Sequence, residues 1–287
     1  MSVFSSTRWK QRIAAPRGHV RAALEDPVAL GVLIVAVVLA TALPAAAGYK
    51  ADAPYALATK LALCALAVGV LSVLGWWTRA GFLALPDRRD LRWLALPLLL
   101  VAGALIAVVA AGPVPMEPAL VIAFALVAIG TGFSEEALFR GALLESVRPW
   151  GLAWAMVAST AAFASIHLAG LLAGATLEAT IAQALIGGLP IGLGFAGLRL
   201  ATRSIWPLIV IHGVNNFSSY LTVGRWEAVA QDTSRFAVAG ILQLGLIVVL
   251  LAYGLYFLRR CLRDGCAVPE MARPPRRAAE TLDGGLR

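Results

Sequence analysis

The chain has 287 residues, 60% of them hydrophobic and only 14% charged, with a mean hydropathy of +0.81. A soluble domain carries about a quarter charged residues, so these values exclude an ordinary water-soluble enzyme and indicate a multi-span membrane protein. The net charge of +8 and a pI near 10.0 would suit a nucleic-acid partner, but the basic residues fall in short loops between apolar runs, which argues for no nucleic acid.

In chain order, residues 1–27 form a basic N-terminal segment, expected in the cytoplasm. Residues 28–258 read as one membrane domain of about eight transmembrane helices, an all-α polytopic bundle. Its spans are expected near 28–47, 55–77, 94–112, 118–147, 150–174, 177–198, 204–223 and 237–258. The first run, with Pro44 to Gly48 behind it, resembles a signal peptide, but its long leading segment favours a retained span. Gly81 to Pro86, followed by Asp87, Arg88, Arg89 and Asp90, reads equally as a short interfacial segment or as a charged loop. Residues 259–287 are rich in Pro, Gly and Arg, and are expected to be a disordered basic cytoplasmic tail drawn to anionic membrane lipids. Three cysteines are too few for a disulfide framework. Cys64, Cys261 and Cys266 are all read as free.

Charge placement tests the span order. With both termini and every second loop on one side, that side holds 20 of the 24 basic residues, Arg140 and Arg199 among them. Lys50, Lys60, Arg225 and Arg235 fall on the other. The positive-inside rule then puts both termini in the cytoplasm. The Ala- and Arg-rich composition points to a bacterial inner (plasma) membrane.

Ionisable residues inside spans are costly, roughly 2.5–3.5 kcal/mol each on insertion scales, yet three spans concentrate them. In Phe133-Ser134-Glu135-Glu136-Ala137-Leu138-Phe139-Arg140, Glu136 and Arg140 lie about 40° apart on one helical face and can pair. Glu135 is rotated about 100° from Glu136 and about 140° from Arg140, which leaves it free to face a cavity as a general base. A buried ion-pair network that merely pins the helix accounts for this segment alone about as well. The fifth span carries Phe163 and His167, and a lone histidine there is more often a packing residue. In the seventh, His212 and Asn216 share one face and could donate hydrogen bonds to an oxyanion, although polar interhelical contacts are also common. Three helices bringing these groups to similar depth are explained most economically by one shared site. Gly187, Gly188, Gly192, Gly194 and Gly197 in span six allow close helix packing or a flexible gate.

Glu135-Glu136-x-x-x-Arg140, Phe163-x-x-x-His167 and His212-x-x-x-Asn216, in that order on separate spans, resemble the three motifs of the CPBP family. This is the CAAX protease and bacteriocin-processing group, also called Abi, which includes the type II CAAX prenyl endopeptidases. The resemblance covers a motif core of about 118–220. It implies an intramembrane endopeptidase in which Glu135 and His167 activate a water, His212 and Asn216 stabilise the oxyanion, and Glu136 with Arg140 positions Glu135. Phe163 would pack behind His167. The family has been labelled metalloprotease. Zinc on Glu135, His167 and His212 is left open, but the sequence lacks His-Glu-x-x-His, and a cofactor-free glutamate mechanism is preferred.

The implied substrate is a peptide or membrane protein. Prenylated CAAX proteins are mainly eukaryotic and this composition looks bacterial, and nothing chooses among the peptide-processing, membrane-protein-processing and bacteriocin-immunity roles of bacterial relatives. The competing reading is a non-catalytic membrane scaffold or bacteriocin-immunity protein that uses the cluster for shape. A proton or ion pathway would need polar residues deep in spans one, two, three and eight, which carry almost none. Oligomeric state is not legible.

Overall fold

The computed structural model describes residues 19–46, 53–112, 116–223 and 237–264, and these contain helices and no strand. The helices are α1 (His19–Glu25), α2 (Pro27–Ala40), α3 (Leu43–Ala46), α4 (Ala53–Leu74), α5 (Leu91–Ala111), α6 (Pro118–Trp150), α7 (Leu152–Leu172), α8 (Leu177–Thr202), α9 (Trp206–Val223) and α10 (Ala237–Asp264). Local chemistry sets their ends. The Asp26 carboxylate accepts the Val28 and Ala29 N–H groups at 2.9 and 2.8 Å, and Pro27 opens α2. Thr176 caps α8 through its hydroxyl. Gly112 and Gly151, both at positive φ, end α5 and α6.

Six of these helices are long and apolar enough to cross a membrane, or seven if the sharply bent pair α1–α2 counts as one span. The expected count of about eight is not confirmed, and it departs from the apolar set at two places. α2 has only 14 residues and breaks at Thr41, short of the roughly 20 that a bilayer needs. α9 is 18 residues long but outside the apolar set, because His212, Asn215, Asn216, Ser218 and Ser219 dilute it. α9 packs instead against α6 and α5, while α10 lies on α8 and α5, and α4 lies on α6. Leucines and isoleucines on the outward faces, such as Leu99, Ile106, Ile129 and Ile241, are exposed as a lipid-facing surface requires.

Small residues allow close approach. A Cβ on Gly132 would lie 2.7 Å from the Ile209 carbonyl oxygen, and one on Gly194 would lie 2.5 Å from that of Leu250. Gly188, Gly192 and Gly197 press on His167, Thr160 and Phe257 in the same way, while Gly187 has nothing near it. Close packing thus explains four of the five glycines of span six.

Three loops assigned to one side by charge do meet. Buried Arg199 donates to the carbonyls of Arg79 (2.5 Å) and Ala80 (3.2 Å) and reaches Glu145 at 3.4 Å, while Arg148 binds Glu145 at 3.1 Å. The 81–86 stretch is tucked in only at its start, while Leu83 and Leu85 stay exposed. Gly81 (φ +84°) lies against Arg199 and Arg203, and Phe82 packs on Trp77, Phe133 and Trp206. Several residues counted with the loops lie within helices, among them Lys60, Arg92, Arg140, Arg148 and Arg199. Cys64 is free, but Cys261 is disulfide-bonded, since geometry rather than cysteine number decides pairing. The readings placed on residues 1–18, 47–52, 224–236 and 265–287, including most of the basic tail, lie outside the described residues.

Candidate active site

α6 supplies the first half of the site. It is α-helical to Glu136, then widens into a π-helical stretch over Ala137–Leu143, a local geometry often found at functional sites. Glu136 and Arg140 remain neighbours through it, with Arg140 Nη1 at 3.3 Å from Glu136 Oε1 and both side chains fully buried. The expected pair is therefore present. Arg140 Nε and Nη2, and Glu136 Oε2, have no hydrogen-bond partner among the described residues. Aromatic faces surround the guanidinium instead: Phe163 at 4.1 Å, Phe195 at 5.8 Å and Phe139 at 6.0 Å. Such cation–π contacts contribute about 0.5–2 kcal/mol each.

α9 closes the other half, brought in by the Gly132 contact. His212 Nδ1 lies 2.8 Å from Glu136 Oε1 and Nε2 lies 3.8 Å from Glu135 Oε2. A carboxylate only accepts, so Nδ1 carries the proton and Nε2 faces Glu135. The second distance is electrostatic contact, too long for a hydrogen bond. His212 therefore bridges the two glutamates, a role that spacing did not reveal.

His167 lies on a 3₁₀ turn within α7, where Nδ1 donates to the Phe163 carbonyl at 3.1 Å. A neutral ring held this way keeps Nε2 as an acceptor. Phe163 stacks edge-on against His167 (5.3 Å) and His212 (6.0 Å) and so links the two histidines, as its expected packing role requires. His167 is also near enough to interact electrostatically with Glu135. Asn216 is half-buried on α9 and makes no hydrogen bond to Glu135, Glu136 or His167 among the described residues. Glu135, Glu136, Arg140 and His212 are thus joined directly, His167 through Phe163, and Asn216 only by its helix.

One correction concerns Glu135, which was expected to be free. Lys60 Nζ on α4 binds Glu135 Oε1 at 3.0 Å, with side chains 21% and 12% exposed. Charge placement puts Lys60 on the far side from the cytoplasm, and residue spacing gives no hint of this contact. The signal was a lone lysine inside an apolar run, at a position that rewards a nearby carboxylate.

Residues 117–218 match the model of the family described as type II CAAX prenyl endopeptidase Rce1-like. The similarity covers 102 of the 287 residues and is confined to that segment. The match contains α6 from its first residue, α7, α8 and the part of α9 with His212 and Asn216, and it agrees with the resemblance carried by the motifs. A match to this family implies protease activity in general, and together with the apolar helices it suggests a multi-pass membrane protein. No curated protein and no solved structure gives a significant match.

The residues read as zinc ligands do not fit such an ion. Among the described residues, no three His, Cys, Asp or Glu side chains gather closely enough to hold a metal. Glu135 already has a cation on one oxygen.

Proposed function

We propose that the chain is an intramembrane endopeptidase of the CAAX type, working without a metal, in which Glu135 with His167 activates the attacking water. The observation that carries this reading is the His212 bridge, which gathers two carboxylates and an imidazole from α6 and α9 beside His167 of α7. Glu135 Oε2 accepts a proton from water, and the resulting hydroxide attacks the scissile carbonyl. The acceptor nitrogen of His167 orients that water. The developing oxyanion takes a hydrogen bond from Asn216 and, once the proton accepted by Glu135 Oε2 has moved on to the neighbouring His212 Nε2, a second one from that nitrogen. Glu136 and Arg140 hold the His212 ring. The tetrahedral intermediate then collapses, the scissile C–N bond breaks, and the same proton returns through Glu135 to the leaving amine, which completes hydrolysis.

The substrate is proposed to be a peptide or membrane-protein segment presented at the bilayer, in a plasma (inner) membrane with both termini cytoplasmic. The direct test incubates purified protein in lipid nanodiscs with two peptides that differ only in a farnesyl group on a C-terminal CAAX cysteine. Cleavage of either, lost in Glu135→Gln and unchanged by 1,10-phenanthroline, supports the reading. Full activity of Glu135→Gln removes Glu135 as the base, and chelator-sensitive cleavage restores the metal. A non-catalytic scaffold predicts no cleavage and an unchanged cellular phenotype in Glu135→Gln.

A further inference from the structure

Glu135 and Glu136 are consecutive carboxylates in apolar surroundings, with side chains 12% and 0% exposed. Like charges so close do not both stay ionised out of water unless each has a cation. Glu136 has Arg140 on its own helix. The groups facing Glu135 are His167 from α7, His212 and Tyr220 from α9, Glu136 and Arg140 from α6, and Lys60 from α4. With Arg140 beside Glu136, Lys60 is the second cation, and it brings the two glutamates and two basic side chains to zero net charge.

Its placement is built into the packing. α4 meets α6 at Gly130, where a Cβ would lie only 3.3 Å from Lys60 Cβ, and Cys64 Sγ donates to the Gly130 carbonyl at 3.4 Å. One further turn along α6 is Glu135. α4 also lies outside the 117–218 segment that matches the family.

We propose that Lys60 is a positioning residue for Glu135: its ammonium holds Oε1, keeps the carboxylate charged in the membrane, and turns Oε2 toward His212 as the oxygen that receives the proton. This rests on the reading of Glu135 as base. Lys60 touches the base and not the substrate, so its loss acts on turnover rather than on substrate binding.

The test uses full-length protein in nanodiscs with the CAAX peptide probe. For Lys60→Met, kcat falls about 10- to 100-fold, the loss expected for a hydrogen bond to a charged group, while KM stays at the wild-type value and the unfolding midpoint falls only modestly, because both partners are partly exposed. Lys60→Arg, which keeps the charge, recovers to within about tenfold of wild type. Independently of any substrate, a hydrophobic carbodiimide activates the Glu135 carboxyl, and the neighbouring amine displaces the urea. The product is an amide between Lys60 and Glu135, read as a cross-linked peptide that is absent from Lys60→Met and Glu135→Gln. Wild-type kcat in Lys60→Met while Glu135→Gln is dead overturns this inference alone. So does a kcat loss matched by a large fall in midpoint and not relieved by arginine, or the absence of the cross-link. Full activity of Glu135→Gln overturns the reading beneath it.

Discussion

Adjacent carboxylates with opposite duties make separable predictions. Glu136→Gln leaves the Arg140 guanidinium buried without a counterion and takes an acceptor from His212. Removing one partner of a buried pair costs about 3–5 kcal/mol, so a large drop in the thermal midpoint is expected, with activity lost alongside it. Asn216→Ala takes away a side chain with no hydrogen bond to the carboxylates or His167, so its midpoint stays near wild type. Its kcat falls by about 10²–10³, as for an oxyanion donor. Measuring both quantities in both variants checks the assignment. A midpoint loss in Asn216→Ala without a kcat loss would return that residue to packing. At this scale the sequence was informative where partners lie one turn apart: Glu136 and Arg140, or the shared face of His212 and Asn216. It was silent on Lys60, 75 positions from Glu135. Helical angles on one element carry no record of which neighbouring helix faces it.

The helices are held at their working distances by glycines, and these give contrasting outcomes. Gly132→Ala puts a methyl 2.7 Å from the Ile209 carbonyl and 3.1 Å from the Gly213 nitrogen, both rigid backbone. α6 and α9 must separate, at about 1–3 kcal/mol for an overpacked contact. The His212–Glu136 bond stretches with them, so midpoint and activity fall together. Gly240→Ala on α10 has nothing within 4 Å and is expected to be neutral or slightly stabilising, because alanine is the better helix former. The two variants compared in one melting assay separate contact from propensity. The small-residue pattern of span six was readable in advance, but α9 misled the span count. Its polar residues serve the site and take it out of the apolar set that hydropathy recognises.

For the whole molecule, the charge alternation anticipated that the loops near Arg79, Arg148 and Arg203 share one end of the bundle. The Arg199–Glu145 clamp joins α6, α8 and the 75–90 turns there. What loop counting could not detect is that Arg199 serves as an internal tie rather than a topological signal. Glu145→Gln weakens its grip on Arg199 and Arg148, and a lowered midpoint with unchanged KM is expected. Orientation is checked separately. Single cysteines at Arg88 and Trp150, in a background with Cys64, Cys261 and Cys266 replaced, should be shielded from a membrane-impermeant maleimide in intact cells and labelled after lysis. Labelling in intact cells would reverse the proposed sidedness.

The low apolarity of α9 also bears on how the protein is made. A helix carrying His212, Asn215 and Asn216 is a poor client for one-by-one release from the insertion machinery into lipid, since each such group raises the cost of partitioning. α6 emerges from the ribosome first, so the Glu136 carboxylate is waiting when His212 arrives, and Gly132 offers the groove into which α9 settles. The bond that orders the site is then also the one that holds the late-arriving polar helix to the helix made before it.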